Sequence, residues 1–241
     1  FNFKINQNFF KFNEIKTVLN GNNILIPELV ASKKNNEYLI SGRLNTNDTR
    51  FSKNEIKSLI NDDFLKLDIQ EILLSSNNDF KFKINKNFKV KNLDIKSEID
   101  LENIKLKNSL EFKKIFPKIK KDLIFKNQKI KLEYEKNSLS IVGFGDAVLQ
   151  DEIDKINYEI YKKNDEVKFK KKLKILRNSF KIDIVNYKKD LNSDLELNFV
   201  GKNNSKGKIL FDKISLKEND KIISIKDLIL SKDNKIDDLG K

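Results

Sequence analysis

The chain has 241 residues, a net charge of +13 and a hydrophobic share of 38% dominated by Ile, Leu, Phe and Val, a composition that builds and fills sheets. It has neither Cys nor His, which excludes disulfides, thiol nucleophiles and thiolate metal sites and removes the commonest general base and metal ligand. The basic charge is almost all lysine, interleaved with Asp and Glu, with arginine at Arg43, Arg50 and Arg177; the guanidinium fork that suits phosphate and guanine is nearly absent, and nucleic acid is not an expected partner.

From the amino terminus, Phe1, Phe3 and Ile5 alternate with polar residues, the period of a half-buried strand. Asn20–Asn23 and Lys34–Asn36 read as turns, because Asn tolerates the left-handed conformation. Ser52 with Glu55 three residues on resembles a capping box, and Ile56, Leu59 and Ile60 then share a helical face, which predicts a short helix. Leu65, Leu67 and Ile69 resume the alternation, and Ser75–Asp79 reads as another turn. The clearest signal follows: Phe80, Phe82 and Ile84, then Phe88 and Val90, then Leu93, Ile95, Ile99 and Leu101 alternate with charged residues. Parity changes once, at Lys91-Asn92, which predicts a turn or bulge there.

The same grammar recurs at Ile130, Leu132 and Tyr134, at Ile156, Tyr158 and Ile160, and at Val167, Phe169, Leu173 and Ile175. It continues at Phe180, Ile182 and Ile184, at Leu195, Leu197 and Phe199, and at Leu228 and Leu230, with Lys163–Asp165 and Asn203–Gly207 as turns. These runs predict a long antiparallel meander. Phe1–Phe9 matches Phe80–Phe88 at seven of nine positions. Either biased composition produces the match, or a repeat divides the chain into units 1–79 and 80–241.

Residues with chemical potential have bland alternatives. Gly143-Phe144-Gly145 lacks the third glycine of a dinucleotide fingerprint, since Val148 stands in its place, and reads as a glycine-relieved strand or bulge. Asp151, Glu152 and Asp154, and again Asp237 and Asp238, have no EF-hand spacing and read as solvated turns rather than a metal site. The run Lys168–Lys174 places Lys168, Lys170, Lys172 and Lys174 on a polar strand face. Lys171 falls on the apolar side, where its long stem would snorkel an ammonium toward water or a lipid headgroup. No catalytic residue, metal or cofactor is expected, and the chain is not expected to be an enzyme.

Strand after strand presents Phe, Ile and Leu on one side, and too few helices follow to cover them. A bare sheet would expose more than the few hundred Å² of contiguous apolar surface tolerated by soluble monomers. It must pack as a β-sandwich, close into a barrel, or curl into a groove filled by something apolar. A transmembrane barrel fits poorly, since its aromatic girdles are rich in Tyr and Trp, and this chain has 5 Tyr and no Trp.

The strand pattern of Phe80–Leu106, the segment Leu139–Gly145 and the run Phe180–Lys189 resemble the AsmA-like superfamily of Gram-negative envelope proteins, the YhdP and TamB type. The likeness is one of texture and covers residues 1 to 235. It implies a U-shaped sheet with a continuous apolar trough, tethered to the inner membrane by a segment outside this sequence and crossing the periplasm. Phospholipids would move along it between inner and outer membranes. It also implies partners in phospholipid acyl chains, in membranes through regions outside this sequence, and in other envelope proteins. With no Met, including at position 1, the sequence is expected to be an internal piece of a longer gene product.

The expected fold is mainly β: residues 1–241 form a single elongated, curved antiparallel meander making a groove, with one or two short helices, and a β-sandwich as the alternative. The expected lipid-facing residues are Phe80, Phe82, Ile84, Phe88, Val90, Phe169, Leu173, Ile175, Phe180, Ile182 and Ile184, with Lys171 as headgroup contact. The alternative function is a structural or protein-interaction module of the cell envelope.

Overall fold

The computed structural model describes residues 2–6, 8–19, 21–59, 68–107, 112–183, 186–203, 208–231 and 236–239. Alternating residues form the strands β1 (Asn2–Asn6), β2 (Phe9–Leu19), β3 (Asn22–Lys34) and β4 (Glu37–Ser52), then helix α1 (Lys53–Leu59), β5 (Ile69–Ile84), β6 (Val90–Lys107), β7 (Asp122–Glu135), β8 (Ser138–Val148), β9 (Asp154–Lys163) and β10 (Glu166–Ile175). A small hairpin follows, β11 (Lys181–Ile182) with β12 (Tyr187–Lys188), and then β13 (Leu195–Asn203), β14 (Ile209–Glu218), β15 (Lys221–Leu230) and β16 (Ile236–Leu239).

All except β11 and β12 join one 14-stranded sheet in chain order, antiparallel throughout and not closed. At about 4.8 Å per strand it runs for roughly 60 Å. No second sheet of comparable size packs on it among the described residues, so the fold is the open meander and not the sandwich. The exposed area of 16657 Å² fits a single layer, because a compact monomer of 28.3 kDa would expose about 11,000 Å².

Left-handed residues inside strands mark bulges, which bend a sheet and raise its twist. Asp48, Asn92 and Asn127 have φ of 47°, 51° and 51°, each beside a break in cross-strand register, while Glu14 and Asp227, at 57° and 53°, interrupt the pairing without shifting it. Asn92 is the parity change read from Lys91-Asn92. Asn35, Asn36 and Asn164 are left-handed turn residues, as expected.

The connections separate by length. Short turns at 35–36, 85–89, 136–137 and 164–165 close hairpins at one end of the sheet, whereas the excursions at 53–68, 108–121, 149–153 and 176–194 all leave from the other. α1 belongs to the second group. Its capping box forms, the Glu55 carboxylate accepting the Ser52 N–H at 2.8 Å and hydroxyl at 2.7 Å, and Ile56 is buried with Ile69 and Leu106.

Two readings of the sequence need correction. Ser75–Asp79 is not a turn but the middle of β5, because its polar groups are satisfied laterally. The Thr46 and Ser76 hydroxyls lie 2.9 Å apart, the Asn78 amide donates to the Leu44 carbonyl at 3.0 Å, and Arg43 pairs with Asp79 at 2.9 Å. Phe180 and Ile182 are not on a strand of the meander either. Their segment enters the two-residue β11, held off the sheet by its own packing on Phe116. Phe1, Leu65, Leu67, Ile60, Ile184 and 204–207 lie outside the described residues.

Candidate functional site: an apolar sheet face closed at one end

Directly opposed residues of antiparallel strands share a face, so the registers trace what each face presents. One row runs Phe3, Phe12, Leu29, Gly42, Phe80, Ile95, Tyr134, Leu139 across β1 to β8. Another runs Ile99, Ile130, Gly143, Tyr158, Lys171, Phe199, Ile214, Ile225 across β6 to β15. Both rows lie on the same side, which small polar residues such as Ser76, Asn78 and Ser97 interrupt. The other side carries cross-strand ion pairs, including Lys129–Asp100 at 2.7 Å, Lys131–Glu98 at 3.7 Å and Lys170–Glu159 at 3.3 Å. The dense basic run belongs to that polar side: Lys172 pairs with Glu196 at 2.8 Å and Lys174 with Asp194 at 2.7 Å.

Glycines open the apolar face for neighbouring side chains. A β-carbon on Gly143 would lie 2.5 Å from the Tyr158 ring, and one on Gly145 would lie 2.4 Å from the Gln128 amide. Gly143-Phe144-Gly145 is thus a glycine-relieved strand. Beyond it, Phe211 meets Phe169 edge-on at 5.7 Å and lies 6.3 Å from Phe199. The Lys171 ammonium stands 5.4 Å over the Phe169 ring, a cation–π contact. The residue as a whole is exposed, yet the surrounding protein partly desolvates its ammonium and pulls its pKa below the ordinary lysine value. Burial likewise pushes Tyr158 up to about 12.

At the end with the long excursions this face is covered. Phe116, Leu149 and Phe180 pack over Ala147, Ile175, Leu195, Leu197 and Leu216, and Phe116 meets Phe180 edge-on at 5.4 Å. Buried polar groups fasten the cover. Asp154 accepts the Leu176 N–H at 3.1 Å and the Asn178 amide at 2.8 Å. The Gln150 carbonyl oxygen accepts the Lys118 N–H, and its amide donates to the Ser179 carbonyl at 2.8 Å. Lys189, 2% exposed, donates to the Leu176 and Asp190 carbonyls at 2.7 and 2.8 Å. Glu218 receives the Tyr187 hydroxyl at 2.7 Å, the Asp190 N–H at 2.8 Å and the Ser193 hydroxyl.

The expected lining therefore divides. Phe80, Phe82, Ile84, Val90, Phe169 and Leu173 share the apolar face with Lys171. Ile175 shares it but is fully buried under the cover, and Phe180 and Ile182 belong to the cover itself. Phe88 is on no strand face; it sits in the turn between β5 and β6, 86% exposed. Ile184 lies outside the described residues.

Sequence reasoning missed the role of Asp154, which is a buried anchor rather than a solvated turn residue. Its signal was present, since Asp154 continues the parity of Ile156, Tyr158 and Ile160 onto the apolar face. Asp151 is exposed and pairs with Lys118 at 3.4 Å. Among the described residues no group of Asp and Glu has the arrangement of a metal site, and no helix is long and apolar enough to cross a membrane. Comparison with protein-family models, curated proteins and solved structures finds no match.

Proposed function

We propose that the chain is a non-enzymatic lipid-binding segment whose apolar face takes phospholipid acyl chains and lets them pass along the sheet. The observation that carries this is the apolar face itself. It crosses strand after strand, one end lies under the cover built by 112–120, 176–183 and 186–190, and the rest has no opposing layer among the described residues. Phe3 at 62%, Ile5 at 55%, Val90 at 55% and Ile225 at 43% remain exposed on it. Each methylene moved from water to such a surface gains about 0.8 kcal/mol. A row of similar Ile, Leu and Phe side chains offers no single deep trap, which favours sliding. The resemblance to the AsmA-like superfamily supports placing this segment in the periplasm, in a tethered protein that moves phospholipids between inner and outer membranes.

Photocrosslinking tests the reading. A benzophenone side chain at Ile130, on the apolar face, is expected to capture acyl chains of added phospholipid, while the same group at neighbouring Lys131, on the polar face, captures none. Equal labelling at the two positions, or none at Ile130, would count against it.

A further inference from the structure

The turn between β5 and β6 presents an aromatic side chain to water in a fixed way. The Asn85 side-chain oxygen accepts the N–H of Asn87 at 3.0 Å and of Lys89 at 2.9 Å. The Asn85 carbonyl accepts the Phe88 N–H at 3.0 Å, and the Asn85 N–H donates to the Lys89 carbonyl at 3.2 Å. These bonds hold Phe88 at φ 56°, a region that few bulky residues enter and that persists only where the surroundings impose it. Phe88 is 86% exposed, the largest value among the exposed large hydrophobic residues described. Folding thus fixes an apolar group outward.

The surroundings of Phe88 are cationic. Lys86 and Lys89 flank it in the turn, and no ion pair among the described residues engages either one. Behind them Lys83 and Lys91 face each other across β5 and β6 and share one carboxylate, Glu37, at 3.4 and 3.8 Å. The adjoining end of β3 adds exposed Lys33 and Lys34. A lone aromatic tip within a ring of long, flexible ammonium groups matches the headgroup layer of a bilayer, where the ring enters the acyl boundary and the lysines reach phosphates. It matches a folded protein less well, because protein interfaces are depleted in Lys and bury clustered anchors.

We propose that the Asn85–Lys89 turn is a contact finger for an anionic bilayer surface, with Phe88 inserting and Lys83, Lys86, Lys89 and Lys91 engaging the phosphates. This turn stands at the end of the sheet opposite the cover, so contact there brings the uncovered end of the apolar face to the membrane. The finger does not depend on lipid occupying that face.

The chain has no Trp, so Phe88→Trp makes a single reporter. Its emission is expected to shift to the blue with vesicles of phosphatidylglycerol and phosphatidylcholine, to stay unchanged with phosphatidylcholine alone, and to recover in high salt. Phe88→Asn keeps a residue suited to positive φ, and so keeps the turn. Its co-sedimentation with the anionic vesicles should fall about tenfold, as should that of the Lys86→Gln, Lys89→Gln double variant. An absent shift, an equal shift with both vesicle types, or Phe88→Asn sedimenting like the parent would overturn the proposal.

Discussion

The Tyr158 ring lies against the backbone of Gly143, so that a β-carbon on Gly143 would approach it to 2.5 Å. The two residues are directly opposed on β8 and β9, in the middle row of the apolar face. Gly143→Val should therefore force Tyr158 off its position and cost about 1–3 kcal/mol. Urea denaturation should show a lower midpoint at unchanged slope, and Tyr158→Ala in the same chain should recover part of the loss.

Asp154 fastens the cover alongside its apolar contacts. Asp154→Ala leaves the Leu176 N–H without its acceptor and the Asn178 amide with only the Glu152 carbonyl, a penalty of about 1–3 kcal/mol. Hydrogen exchange should show protection lost at 176–189 and kept in the centre of β9 and β10. Uniform loss across the sheet would contradict a local fastening.

Asp154 and Glu218 should push acid stability in opposite directions. Burial raises the Asp154 pKa above 3.8 despite the bonds from Asn178 and Leu176. The folded state then holds that proton where the unfolded chain has released it, so this contribution falls as pH rises from 3.8 through the folded value. For Glu218, burial pushes up, but the Ser193, Tyr187 and Asp190 donors outweigh it and leave the pKa below 4.5. Its contribution is present above 4.5 and lost as pH falls through the folded value. Thermal unfolding followed from about pH 5 to about pH 3 should show a shallower acid loss in Glu218→Gln and a steeper one in Asp154→Asn.

Lys171 places a charge among Tyr158, Phe169 and Phe199. Because desolvation lowers its pKa below 10.5, the unfolded chain holds that proton more firmly, and stability rises with pH from the folded value up to 10.5. Lys171→Met should melt at the same temperature as the parent or higher near neutral pH and lose this alkaline rise. If the ammonium meets headgroups, the same variant should also lose preference for anionic over zwitterionic phospholipid while still taking up both.

Much of this architecture was legible because strand parity is a local property. Phe80, Phe82 and Ile84 declare their face without reference to any partner, and Lys91-Asn92 announced a bulge by changing that parity. The match of Phe1–Phe9 with Phe80–Phe88 extends to the turns: Asn8 donates its N–H to the Asn6 side chain at 3.1 Å as Asn87 does to Asn85. What escaped was non-local. Phe180 and Ile182 alternate as strand residues do, yet Phe116, about sixty residues earlier, draws them into the cover. The polar run Ser75–Asp79 looked like a turn because its partners, Arg43 to Thr46, lie on another strand. Phe88 obeyed the pattern in sequence, but the Asn85 hydrogen bonds took it out of the sheet.

The central claim is that acyl chains occupy the apolar face, and lipid analysis of the purified protein tests it most directly. Organic extraction of folded, monomeric protein followed by mass spectrometry should release phospholipid, and the Ile130→Asp variant, charged in the middle row, should release much less while keeping its sheet signal in circular dichroism. A folded, monomeric parent that yields no phospholipid would contradict the account.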